Sequence, residues 1–157
     1  MAGRGGLLSQ APALAGALTD AVEAATASDL TAYDAALARL ALLDAPRVSN
    51  VTGAVVRRLL EQHHPGGLAG DDVGQVLSAA AARAGWLPDL DATVLLVVVC
   101  GSLGLLDPED QPAALSPAAV LRHAAVLIAS LLAGASLEST LDAALAELRR
   151  AETIELP

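Results

Sequence analysis

Apolar positions recur every three or four residues along most of the chain. Between Ala13 and Ala27, Leu14, Leu18, Ala21, Val22 and Ala25 share one stripe and Asp20 and Glu23 lie off it, which predicts an amphipathic helix. Ser28 or Asp29 can cap a second helix, in which Leu30, Tyr33, Leu37 and Leu40 repeat until Asp44-Ala45-Pro46 stops it. Tyr33 falls at the edge of that stripe, so its ring is expected at the rim of the core with a wet hydroxyl.

A third helix is expected from Ser49 or Asn50, with Val55, Val56, Leu59 and Leu60 inward and His63-His64-Pro65-Gly66-Gly67 ending it. Asp71-Asp72 supplies a negative first turn for a fourth helix through Val73, Val76, Leu77, Ala80 and Ala84. Gly85 suits a left-handed cap there. The run from Ala92 to Leu106 contains Leu95-Leu96-Val97-Val98-Val99 and by periodicity alone fits a buried strand equally well. No second β-branched run exists to pair with it, and Asp89 or Asp91 can cap a helix. A helix is therefore predicted over 92–106, apolar on every side and so central.

Ser116-Pro117 opens a sixth helix with a cap residue and proline at its favoured first position, running to about Gly134. Ser136 caps a seventh, with Leu137, Leu141, Leu145 and Leu148 on one face and Arg149-Arg150 opposing its C-terminal dipole. The pattern predicts an all-α protein. It forms a single globular bundle of about seven helices around a central apolar hairpin, 92–106 and 117–134. The bundle spans 10–152, with a flexible N-terminal tail over 1–9 and a C-terminal tail over 153–157.

Composition narrows the chemistry. The chain is 54% hydrophobic with no Phe and 1% aromatic residues, so Ala, Leu and Val must fill the core. These suit closely packed helices, Ala being the best helix former and Leu close behind. The absence of Lys and the wealth of Ala, Gly, Pro and Arg resemble the codon bias of a high-GC bacterium. Arginine supplies all nine positive charges against 18 carboxylates, a net charge of −9. Nucleic acid is not expected as a partner, because phosphate binding needs a concentrated basic face and the adjacent pairs Arg57-Arg58 and Arg149-Arg150 read as solvated helix flanks.

High mean hydropathy (+0.53) raises the question of a membrane. The longest apolar stretches, 92–106 and 124–137, fall short of the about 20 residues that a helical span needs. Ser9, Gln10 and Pro12 interrupt the first seventeen residues, which do not read as a signal peptide. A lone cysteine, Cys100, cannot pair within the chain, and a reducing cytoplasm fits it.

Candidate chemistry is sparse. His63 and His64 are adjacent on a helix, about 100° apart, unlike the i, i+4 pair that holds zinc; they read as helix-end histidines, and no metal is expected. Cys100 and His123 fall at similar depth if helices five and six form an antiparallel hairpin. A thiol beside an imidazole is a nucleophile arrangement, although buried cysteine more often packs as a small hydrophobe. Arg122 is a permanent charge on an otherwise apolar helix and must be paired, with Glu109 or Asp110 in the preceding loop as the expected partners. Arg122, His123 and Cys100 are thus the candidate ligand or interface polar cluster, with no catalytic residues assigned and no cofactor expected. No phosphate-binding glycine loop and no nucleophile elbow occur.

The functional expectation follows from surplus. A bundle with this much apolar residue and only 17% charged residues has more apolar surface than one core can use, and surplus marks an interface. A protein–protein interaction or scaffold protein is expected, binding itself, a dimer being favoured, or another protein. The alternative is a small-molecule-binding module or minor enzyme with an apolar pocket near Arg122 and His123.

Overall fold

The computed structural model describes residues 2–106 and 115–155, and among them are seven helices with the turns and caps that join them. They are α1 (Ala2–Thr26), α2 (Leu30–Ala41), α3 (Ala45–His63), α4 (Gly70–Arg83), α5 (Ala92–Ser102), α6 (Pro117–Leu132) and α7 (Glu138–Glu155). No strand occurs among these residues, so the apolar run of α5 resolves as helix. No helix among them is long and apolar enough to cross a membrane.

Most helix starts are fixed by the short polar residues that sequence marks. Asp29 accepts a hydrogen bond from the Ala32 N–H at 3.1 Å, Asp91 from Thr93 at 2.8 Å, and Ser116 from Ala119 at 3.1 Å. Ser136 accepts from Glu138 at 3.2 Å. Each satisfies a backbone donor that the first helical turn leaves without a partner, worth about 1 kcal/mol apiece.

Several boundaries differ from the sequence expectation, each for a local reason. Asp44 does not merely stop α2; it caps α3 through the Arg47 N–H at 3.1 Å, with Pro46 in the first turn. α3 therefore starts at Ala45 rather than at Ser49. α1 starts at Ala2, passes through Pro12 and absorbs the segment expected as a tail. Proline removes one helical hydrogen bond without having to end the helix, and the neighbouring Gln10 side chain accepts from the Asp44 N–H at 3.1 Å, which ties this level of α1 to the α2–α3 corner.

At the other end α7 continues past Thr153, whose hydroxyl bonds the Arg149 carbonyl at 2.9 Å. Gly85 is not a left-handed cap: α4 ends at Arg83 and Ala84 has φ −107°. α5 stops at Ser102, short of Leu106. Gly104 turns left-handed at φ +73°, and the Leu105 N–H folds back onto the Cys100 carbonyl at 2.9 Å.

α6 is the axis of the bundle. It packs against α1, α2, α3, α4 and α5, and its sides are divided between two cores. Ala124, Leu127 and Ile128 join Leu14 and Leu18 of α1, Val55, Val56 and Leu60 of α3, and Leu95 and Val99 of α5. Ala125 and Val126 face a smaller core of Ala21, Ala24, Ala25, Tyr33, Ala36 and Ala84. Alanines make up most of that second core, around the single large ring of Tyr33. Each fully buried Leu or Val contributes roughly 1.5–3 kcal/mol.

α5 packs on α6 as expected, but it is covered on one side only. Val94, Leu95, Val98 and Val99 are buried, Val97 is half-buried and Leu96 is exposed. All-round apolarity therefore marks two different situations, a central rod in α6 and an open face in α5.

The C-terminus of α6 is closed by an unusual residue. Ala133 sits at φ +50°, followed by Gly134 at φ +90°. A side chain in the left-handed region is strained, and glycine relieves it. Ala133→Gly is expected to stabilise the protein by about 0.5–1 kcal/mol, raising the thermal midpoint; an unchanged or lowered midpoint would show that the cap is not strained.

Candidate functional site

Arg122 leaves α6 between the two cores and finds its counter-charges on other elements. Its Nε lies 2.9 Å from Asp89 and its NH1 2.6 Å from Asp34 on α2. Glu109 and Asp110, the partners expected from sequence, lie outside the described residues. The guanidinium carbon also stands 5.7 Å from the centroid of the Tyr33 ring, within cation–π range. Burial works against the Arg122 charge, but hydrogen bonds to Asp34 and Asp89 outweigh it and raise its pKa further. This is a guanidinium whose charge is already answered.

Tyr33 corrects the sequence expectation. It is fully buried, not half-wet, and its hydroxyl donates to the backbone carbonyl of Arg122. Trp86 meets its ring edge-on, with centroids 5.1 Å apart at 87°, a favoured aromatic geometry. Burial pushes the phenol pKa far above the ordinary tyrosine range, with the Arg122 charge opposing the shift. Heptad-like spacing gave Tyr33 a place on the inner stripe, but no pattern in the chain signals that a carbonyl of α6 would receive its hydroxyl.

His123 is buried beside Arg122 and has both nitrogens occupied. Nε2 accepts from the Asp91 N–H at 2.9 Å, and Nδ1 stands 2.7 Å from the Ala119 carbonyl. Because a backbone N–H can only donate, Nε2 must be the unprotonated nitrogen and Nδ1 carries the hydrogen given to Ala119. The ring is a strut between α6 and the first residue of the α5 cap.

Cys100 does not join this pair. His123 meets α5 at Asp91, whereas Cys100 sits in the last turn, about 13 Å further along the axis at 1.5 Å per residue. Equal depth assumed that a short turn sets the register of α5 against α6; residues 103–116 make a long connection, and packing together with the Asp91–His123 bond sets it instead. With both imidazole nitrogens engaged, nothing is left to activate a thiol. Arg122 and His123 are thus brought together as a structural pair, and Cys100 is placed elsewhere, half-buried on α5.

His63 and His64 also act at a helix end. His63 Nε2 contacts the Leu131 carbonyl at 2.7 Å, and Arg83 donates to the Ser130 carbonyl at 2.9 Å. The Ala133 and Ala135 N–H groups take the Ala129 and Leu132 carbonyls, so the whole last turn of α6 is satisfied. His64 Nδ1 lies 3.9 Å from Asp72. Among the described residues no group of three or more His, Cys, Asp or Glu residues is placed to hold a metal ion.

A large concavity lies on another side of the bundle. A groove of about 930 Å³ runs along the first half of α3, walled by α5, the start of α6 and part of α7. Its lining is mainly aliphatic, including Val48, Val97, Val98, Val120 and Leu121. Among the described residues, Arg57 and Glu147 are the charged ones that line it, and they hydrogen-bond each other. Neither Arg122 nor His123 lines it. A smaller hollow of about 370 Å³ lies at the ends of α1, α4 and α6 beside Trp86 and Arg83. Hydrophobic periodicity marks which faces are apolar but not which of them remain uncovered, so the groove had no sequence signature beyond the apolar surplus.

Two outcomes follow. The single tyrosine should show no phenolate absorbance band as pH passes through the ordinary range near 10, because a raised folded-state pKa holds the proton. The stabilisation tied to that proton is complete below the unfolded pKa and is lost as pH rises toward the folded one, so ionisation should coincide with unfolding; titration at the ordinary value in folded protein would contradict this burial. His123→Ala should cost about 2–4 kcal/mol in denaturant unfolding, from the lost packing and an unsatisfied Asp91 N–H. A change under 0.5 kcal/mol, the range of ordinary surface substitutions, would show that the strut carries little (about 0.5 kcal/mol).

Comparison of the chain with models of protein families, with curated proteins and with solved structures finds no match. Its function is therefore read from its own surfaces and contacts.

Proposed function

We propose that this protein is a helical interaction protein whose task is to associate with a second copy of itself through the α3–α5 groove and the open face of α5. The observation that carries the reading is the placement of exposed apolar residues. Leu42, Leu96 and Leu105 are exposed, and each is next in the chain to a residue that lines the groove: Ala41 and Leu43, Val97, and Leu106. Exposed leucines scattered singly mean little; leucines gathered at the margin of an apolar groove indicate a surface meant to be covered.

Charge favours a second copy as the occupant. The chain carries a net charge of −9, so two copies repel through most of their surface. Among the described residues the charges that line the groove, Arg57 and Glu147, cancel each other, and two such faces can meet there without opposing like charges. A two-fold dimer, in which the same patch is used by both partners, is the simplest closed arrangement. The unpaired thiol of Cys100 suits a reducing compartment, and a bacterial cytoplasm is the proposed setting.

A small-molecule reading ranks second. The groove volume lies within the usual range for ligand sites, roughly 300–1,000 Å³. Such a site needs convergent polar groups to orient its ligand, and the polar residues marked by sequence, Arg122 and His123, are turned to internal partners elsewhere.

Light scattering tests the proposal. The wild-type chain should report a mass above 15.7 kDa. The double variant Leu96→Glu/Leu105→Glu, altered at exposed positions, should dissociate to that mass, with affinity weakened on the order of a hundredfold because opposed or desolvated charges cost several kcal/mol. A wild type that stays monomeric at millimolar concentration would overturn self-association.

A further inference from the structure

α7 is bound to the bundle in two different ways along its length. Its first half is anchored by burial: Leu137, Thr140, Leu141 and Ala144 are all buried. From Leu145 onward no described side chain is fully buried, and Leu145 and Leu148 are only half-covered. That second half packs Leu145 and Leu148 against the edge of the main core and is held beyond them by charge. Glu147 is forked between Arg57 and Arg58 of α3, and Glu152 meets Arg47 of α3 at 3.1 Å.

The clasp is incompletely satisfied. Arg47 and Arg58, which hold Glu152 and Glu147, each keep a buried Nε with no hydrogen-bond partner among the described residues. The same segment walls the groove, since Glu147 and Leu148 are part of its lining. An apolar anchor, a polar clasp and a groove wall thus follow one another along a single helix.

We infer that residues 145–154 of α7 form an electrostatic latch that sets the aperture of the α3–α5 groove, opening by detachment of this half-helix while Leu137–Ala144 stays docked. Salt is the natural lever, because ions screen partly exposed pairs. Detachment removes Glu147 and Leu148 from the wall and leaves the apolar floor of α3 more accessible. The latch holds in an isolated chain and does not depend on self-association.

Hydrogen–deuterium exchange on the full chain reads it directly, because local opening is measured amide by amide. In Glu147→Gln the amides of residues 148–154 should exchange about fivefold faster, the upper range for a partly exposed ion pair, while those of 140–144 keep their protection. Raising salt on the wild type should act on the same amides. Fluorescence of 8-anilinonaphthalene-1-sulfonate, used as the apolar probe, should rise in parallel. Asp20→Asn, which breaks the Arg39–Asp20 pair between α1 and α2, should change neither signal.

Two results would overturn the latch: uniform exchange along all of α7, or no acceleration in Glu147→Gln and in salt. Local acceleration without a rise in probe fluorescence would overturn its control of the groove. Neither readout measures mass, so failure here leaves the dimer standing, and a strictly monomeric chain leaves the latch standing.

Discussion

The constraint on which the rest of this structure depends is the enclosure of the middle of α6. A helix apolar on nearly every side needs neighbours on most of them, and five helices pack on α6 and bury His123 to Ile128, Leu131 and Leu132, while its first turn borders the groove. Enclosure then creates a second demand, because a buried helix must still satisfy its polar backbone ends. The start is met locally by Ser116. The last turn is met partly from a distance, by His63 from α3 and Arg83 from α4. Hydrophobic burial chooses where α6 lies, and these polar contacts fix how its neighbours sit on it.

Polar residues along α6 serve the same end. His123 grips the N-cap of α5 through Asp91, and Tyr33 of α2 donates to the Arg122 carbonyl while its ring lies under the guanidinium. A core built from Ala, Leu and Val has few features to distinguish one packing from another, since aliphatic side chains of similar volume are interchangeable at small cost. One histidine, one tyrosine and one arginine with exacting geometric needs give α2, α5 and α6 a particular register. Arg122 and His123, two of the three residues that looked like candidate chemistry, thus fasten a nearly featureless core together with Tyr33.

Legibility followed the range of the interaction. Helix identity and most caps were readable because they depend on residues within four positions of one another, as at Asp29, Asp91 and Ser116. Boundaries failed where one residue served two elements or a distant partner intervened, as with Asp44 and with Gln10 reaching the α3 cap. The depth match of Cys100 and His123 failed because register across a long connection is a tertiary quantity. Arg122 was legible as a charge that must be paired, but its partners Asp34 and Asp89 lie far off in sequence. The open face of α5 could not be told from the closed faces of α6, since both read as uninterrupted apolar sequence.

Arginine use ties the helices to one another and leaves the surface acidic. Every arginine from Arg39 to Arg149 is engaged within the chain, with carboxylates at Arg39, Arg47, Arg57, Arg58 and Arg122 and with carbonyls at Arg83 and Arg149. All of these except Arg149, which bonds a carbonyl of its own helix, tie one element of the bundle to another. Carboxylates remain in excess and keep most of the surface negative, which discourages contact between copies except where charge is absent or cancelled. Among the described residues the groove beside α3 is lined by one such matched pair, Arg57 with Glu147, set between mainly aliphatic walls. The same pairing of arginine with carboxylate that ties helices together therefore also neutralises the described charges on the face left apolar.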